Sequence, residues 1–249
     1  MIIEDRGILL GTRKFQESAC IADCLLENNG LIRGYVRISR KKGILLNPGN
    51  IVKVVWKARL DSHLGSMTCE NEKCLSGIIG LDSLKTMALS SITSIAILLL
   101  QELEHQPEIY QRFIEFLSRL ENDNYDYLTA YALLEAEFLT KSGFGLDLRS
   151  CAATNSIHNL IFISPKSGRA VSQAAGEPYK DKLFHLPAFM CDETASASLH
   201  DIACSLTALG YFLTKHIWEP NHQKEPTARQ QLLTHIKRIS CMTSKPYAA

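Results

Sequence analysis

The sequence lacks the marks of several protein classes. No sign of charge dominates its 249 residues, with 27 Lys and Arg against 26 Asp and Glu, so the chain is not a single-sign polyelectrolyte. No apolar run is long enough to span a bilayer. The longest, Met87 to Leu100, is interrupted by Ser90, Ser91, Thr93 and Ser94 and falls short of the roughly 18 to 20 residues required, so it reads as a buried helix. A secretory signal is not expected, because Glu4 and Asp5 stand where such a signal is basic and Gly7 to Leu10 is too short an apolar segment. A cytoplasmic protein is expected.

Catalytic and cofactor motifs are equally scarce. No GxGxxG follows a strand, Lys166, Ser167 and Gly168 lack the glycine spacing of a phosphate loop, and neither HExxH nor GxSxG occurs. No cofactor, no catalytic residue and no enzyme activity are expected; the remaining enzyme reading is Cys151 as a nucleophile near His158. The eight cysteines are scattered through a chain with no export signal, so they read as reduced thiols rather than a disulfide framework. Cys20 and Cys24 with Cys69 and Cys74 have a spacing that two strands could converge on a metal. Yet Cys20, Ala22, Cys24 and Leu26 form one side of a strand, which is the pattern of an apolar interior, so no metal is expected.

What the chain does have is a core and an uneven distribution of charge. Hydrophobic residues make up 46% and charged residues 21%, an ordinary composition for a packed fold. Residues 1–75 hold 12 basic and 8 acidic side chains, residues 76–150 hold 5 and 11, and residues 151–249 hold 10 and 7. Inside the first third, Arg33, Arg37, Arg40, Lys41, Lys42, Lys53, Lys57 and Arg59 occur with no carboxylate between Glu27 and Asp61. A cationic block of this kind suggests a polyanionic partner; the alternative is the solvated face of a half-exposed sheet in a protein-interaction adaptor with no direct DNA role.

Residues 1–78 alternate with period two and are punctuated by Gly, Asn and Pro, which predicts five strands: Gly7 to Phe15, Ser18 to Glu27, Leu31 to Arg40, Ile51 to Leu60 and Gly65 to Lys73. Five short strands are too few to bury two sheets and fit a small barrel such as the OB-fold. From Asp82 the period becomes helical. Helices are predicted from Asp82 or Ser83 until Pro107, then over Glu108 to Leu120, Tyr125 to Lys141, Ala195 to Trp218 and Thr227 to Cys241. A hairpin is predicted over Asn159 to Ser172. The expected fold is α+β: a five-stranded OB-fold barrel over residues 1–78, then an all-helical domain over 79–249 with a short β-hairpin insertion.

Alternation turns the cationic block into a surface. In the third strand, Ile32, Gly34, Val36 and Ile38 share one side, and Arg33, Tyr35 and Arg37 share the other. In the fourth, Val52, Val54, Trp56 and Ala58 fall together, opposite Lys53 and Lys57. If these strands are adjacent, their outward faces form one positive groove with an aromatic ring in it, which suits single-stranded nucleic acid: cations follow phosphates and the ring stacks on bases. Arg40, Lys41 and Lys42 extend the groove as a loop, and Arg13 and Lys14 add charge from the first hairpin.

Four segments then carry a family resemblance: GILLGTRKFQES over Gly7 to Ser18, GLIRGYVR over Gly30 to Arg37, GFGLDLRSCA over Gly143 to Ala152, and SPKSGRAVS over Ser164 to Ser172. In this order, over nearly the whole chain, they resemble RecO, the bacterial recombination mediator family. The resemblance implies an OB-fold followed by a helical domain, binding of single- and double-stranded DNA, annealing of complementary strands, and action with RecR to help RecA onto strands coated by single-strand-binding protein. It also implies a nucleoid-associated location. The family's basic surface falls on Arg13, Lys14, Arg33 and Arg37, with Arg40, Lys41 and Lys42 in its basic loop. The helical part is implied to receive the acidic tail of single-strand-binding protein, with Lys166, Arg169 and Lys215 as candidate cations. Many members carry a four-cysteine zinc element; here Cys151 is present, Thr154 stands at its partner position, and no cysteine pair follows through Ser172, so apolar residues such as Leu160, Phe162 and Val171 are expected to hold the hairpin instead.

Overall fold

The alternating N-terminal third closes into a barrel. In the computed structural model, which describes residues 1–37, 46–59, 64–75, 79, 82–122 and 124–243, β1 (Ile2–Gln16), β2 (Ala19–Leu26), β3 (Gly30–Arg37), β4 (Ile51–Lys57) and β5 (Gly65–Lys73) are joined in the order β1-β2-β3-β5-β4. β4 returns to β1, and β3 meets β5 in parallel over Gly34 and Tyr35. This is the expected OB-fold. β1 begins five residues earlier than the sequence suggests, because it serves two neighbours: Ile2 to Ile8 pair with β4, and Gly7 to Gln16 pair with β2. A register shift between Leu9 and Gly11 bends the strand from one partner to the other.

Inside the barrel lie Ile3, Leu9, Cys20, Ala22, Cys24, Leu26, Ile32, Val36, Val52, Val54, Trp56, Met67 and Cys69. Three of the thiols weighed for metal binding thus pack as core residues. Cys24 is held protonated by its contact with Cys69 and by full burial. Trp56 fills one end, its Nε1–H donating to the Arg33 carbonyl at 2.9 Å. Glycine is required beside it, since a Cβ at Gly65 would lie 2.4 Å from the indole.

Among the described residues, two long helices follow in the same compact unit, which spans Met1–Glu121. α1 (Ser83–Leu99) starts at Asp82, whose carboxylate accepts from the backbone N–H of Leu84 and Lys85, and its Ala88, Ile92, Ile95 and Ala96 are fully buried. It packs on β1, where Ile8 and Leu10 face out of the barrel and are nonetheless buried. The helix ends well before Pro107, because the chain turns to make a bridge with β3: Leu103 N–H donates to Leu31 O at 2.9 Å. α2 (Pro107–Arg119) buries Ile109, Tyr110, Phe113, Phe116 and Leu117. The change of pattern near residue 78 marks a change of secondary structure, whereas the compact units divide between Glu121 and Asn122.

The second unit, Asn122–Ala249, is built on α3 (Asp126–Leu139), α5 (Leu199–Leu213) and α6 (Thr227–Thr243), with the one-turn α4 (Gln173–Gly176) between α3 and α5. Ser198 and Asp201 form a capping box at the start of α5, four residues after the predicted start at Ala195. Arg229 of α6 ties the helices: its guanidinium bonds Glu135 of α3, the Leu206 carbonyl of α5 and Glu225. Both Glu135 and Arg229 are buried.

The predicted hairpin is a three-stranded sheet. β6 (Leu160–Ile163) lies between β7 (Ala170–Ser172) and β8 (Phe184–His185), and β8 is too short for its alternation to show in sequence. The loop carrying Cys151 is pinned to β7, with Ala152 N–H donating to Ala170 O at 2.8 Å. The buried Cys151 Sγ accepts from the Ser172 N–H at 3.2 Å and from its hydroxyl at 3.4 Å. Burial opposes the thiolate, but these donors, together with Thr154 and the Ala153 N–H, outweigh it and bring the thiol down to about 6. One thiol among hydroxyl and amide donors is not a zinc donor set. The loop is held by polar bonds to Cys151, and in the sheet Phe162 packs beside Gly176 of α4.

Candidate nucleic-acid interface

Barrel closure decides which cations meet. Because core residues alternate with outward ones, β3 presents Arg33, Tyr35 and Arg37 outside, and β4 presents Lys53, Val55 and Lys57. The sequence-based groove assumed that these strands are neighbours. They are not: β5 lies between them and brings Ser66, Thr68, Glu70 and Glu72 to the same outer surface.

The consequences differ along the strands. Lys53 pairs across to Glu70, lies 3.7 Å from Glu72, and shares that carboxylate with Arg6, which bonds it at 2.6 Å. These residues, with Glu4, Asp5 and Lys57, line a concavity of about 520 Å³ of mixed charge, so Lys53 does not extend a cationic track. Arg33 is also spent on carboxylates. Its Nε donates to Asp23 at 2.8 Å and its Nη1 to Glu102 at 2.6 Å, while Nη2 reaches the Ile97 carbonyl of α1 at 3.4 Å. Asp23 is only 3% exposed and also draws Arg13 Nη1 to 3.5 Å. Arg33 thereby straps the barrel to α1 and the segment after it. The absence of carboxylates between Glu27 and Asp61 concealed this, because the partners come from β2 and from beyond α1.

At the other end of these strands the cations stay available. Cross-strand register sets Arg13 opposite Ile21, Ile21 opposite Tyr35, Tyr35 opposite Ser66, and Ser66 opposite Lys57. One row of outward residues therefore runs across five strands, with Arg37 two residues beyond Tyr35 and Lys14 one beyond Arg13. Lys14, Arg37 and Lys57 are exposed and, among the described residues, form no ion pair. This belt crosses the barrel wall from the β1–β2 turn to the end of β4, between the two connections by which OB-folds hold oligonucleotides. Arg40, Lys41 and Lys42 lie outside the described residues.

One member of the belt was not singled out in sequence. Phe15 is 49% exposed and packs edge to face on Tyr35, with ring centroids 5.9 Å apart. A second register shift, between Lys14 and Gln16, leaves Phe15 unpaired at a bulge. Its signal was available: strict alternation puts Phe15 on the side of Arg13.

Comparison with known proteins agrees with this architecture. The family model described as recombination protein O N terminal matches residues 1–70, and recombination protein O C terminal matches residues 80–225. The chain is 39% identical over 241 residues to the DNA repair protein RecO of Rhodopseudomonas palustris (strain TIE-1), covering 94% of this chain and 95% of the relative. The RecO of Anaplasma marginale (strain Florida) is 37% identical over 223 residues, covering 88% and 92%, and that of Rickettsia akari (strain Hartford) is 35% identical over 239 residues, covering 95% and 98%. A barrel of OB topology, a helical unit with a small sheet, and matches of this extent together make the chain a member of the RecO family of DNA repair proteins.

Proposed function

We propose that this protein is a non-enzymatic mediator of DNA repair and recombination whose cationic belt across the barrel wall holds the phosphate backbone of DNA. Arg13, Lys14, Arg37 and Lys57 carry the contact, and the charges of Arg40, Lys41 and Lys42 add to it. The observation that bears most weight is that Lys14, Arg37 and Lys57 have no ion-pair partner among the described residues, while Arg6, Arg33 and Lys53 are neutralised. Cations meet phosphates on single and double strands alike. Held on two such surfaces, or at two points of one, complementary strands lose part of their mutual repulsion and anneal without a covalent step. Family membership supports the rest: action with RecR, and help in loading recombinase onto strands coated by single-strand-binding protein.

For the acidic tail of that protein, the second unit offers a cavity of about 810 Å³ lined by Leu133, Leu146, Leu148 and Ile157 together with Asp147 and Arg149. The Arg149 side chain is 90% exposed and binds Asp147 at 3.2 Å, and Arg169 lies 3.5 Å from the same carboxylate. Lys215 is less suited, since it donates to the Pro165 carbonyl at 3.2 Å and lies over the Tyr211 ring.

The test is a salt titration of oligonucleotide binding. Arg37→Ala with Lys57→Ala should weaken single and double strands of any sequence and flatten the single-strand salt slope by roughly 0.7 for each phosphate the protein no longer neutralises. Full affinity and an unchanged slope in the double variant would remove the belt from consideration.

A further inference from the structure

We infer that Phe15 and Tyr35 form a two-ring base-stacking platform inside the cationic belt, which gives the protein a preference for unpaired strands that its cations alone cannot supply. The inference rests on the belt being the DNA site and assigns Phe15 a role in choosing between nucleic-acid forms.

The geometry is specific to this part of the barrel wall. Large apolar side chains on a strand of a closed barrel normally point inward, and of the residues of β1 beyond Gly11 only Phe15 is a large hydrophobic side chain. It is not recruited to the core: alternation sets it on the outward side with Arg13, and the bulge between Lys14 and Gln16 leaves it without a cross-strand partner. There it meets Tyr35 at an interplanar angle of 80°. An edge-to-face contact fixes both rings and leaves ring surface open, so little side-chain freedom is lost when a base arrives.

The charges around the pair match a strand passing over it. Arg13 is two residues before Phe15, Arg37 two residues after Tyr35, and Lys57 lies across Ser66 from Tyr35, about 10 Å away at ordinary strand spacing. Phosphates held by these side chains place the attached bases above the two rings. Duplex bases are stacked on one another and cannot use a ring, whereas an unpaired base can, whatever its identity. The cations make the site bind nucleic acid, and the rings make it favour unpaired strands.

The test separates phosphates from bases by using strands that have one without the other. Binding of the full-length protein is followed by fluorescence anisotropy with a thymidine oligonucleotide of about 20 residues, an abasic strand of the same length, and a duplex, at one salt concentration. Wild type should bind the thymidine strand at least about fivefold more tightly than the abasic strand, one stacked base being enough for that ratio. Phe15→Leu and Tyr35→Leu keep apolar volume but remove the aromatic face. Each should reduce the ratio, and the double variant should bring it close to one while the abasic strand and the duplex are held as before. Phe15→Trp should restore or raise it. A double variant whose preference for thymidine over the abasic strand is unchanged overturns the platform, as does an equal loss on all three probes, which would make the rings supports for the cations. Wild-type protein that binds none of the three would instead overturn the belt itself.

Discussion

Single residues decide whether a cation is available. Arg33 and Arg37 lie on the same side of β3, four residues apart, and alternation alone treats them as equals. Asp23 and Glu102 make them different, since Arg33 is held by both and Arg37 is exposed. Arg33→Ala should therefore act mainly on folding. It leaves Asp23 buried with a single distant partner, a loss of about 1–3 kcal/mol that urea denaturation would measure. Arg37→Ala should leave the urea midpoint unchanged and weaken DNA binding. Equal effects of the two substitutions on DNA affinity, with no difference in stability, would show that the ion pairs do not sort them.

At the scale of elements, the barrel depends on a polar staple between β1 and the β2–β3 turn. The Asp5 carboxylate accepts from the Asn28 backbone N–H, the Asn28 side chain and the Asn29 side chain at 2.7–3.0 Å. Partial burial opposes its charge, but these donors outweigh burial and hold the carboxyl below its usual range. Since the folded group is the stronger acid, its contribution is present above the unfolded carboxyl value of about 3.9 and is lost as pH falls through the folded value. Asp5→Ala should lower stability at neutral pH and flatten the fall in the urea midpoint below about pH 4. A variant with the wild-type acid limb would place that limb elsewhere. Asp82→Ala, which removes the N-cap of α1, should cost about 1 kcal/mol by the same measurement.

At the scale of the whole molecule, the two compact units are held by different means. The first closes hydrogen bonds around a barrel and fills it with apolar side chains, thiols included. The second joins three helices through one buried guanidinium, with Gly210 providing its space, since a Cβ there would lie 2.6 Å from Arg229 Nη1. Arg229→Ala leaves Glu135 as a buried, uncompensated carboxylate, and about 3–5 kcal/mol of destabilisation is expected in a denaturant titration. A loss below about 1 kcal/mol would mean that water replaces the guanidinium, as it does at exposed pairs.

Much of this protein could be read from its sequence because the relevant forces are local. Period-two alternation located all five barrel strands, and period 3.6 located the long helices, since a side chain's face follows directly from its position in a regular element. The outward direction of Tyr35, Arg37 and Lys57 followed in the same way. Three features depended on contacts distant in sequence. β5 enters between β3 and β4, Asp23 and Glu102 neutralise Arg33, and β8 completes a sheet begun more than twenty residues earlier. The sequence by itself thus determined which residues face out of the barrel. Only closure of the barrel and the docking of α1 decided which cations keep their charge free for a ligand, because an ion pair depends on separation in space, to which distance along the chain is no guide.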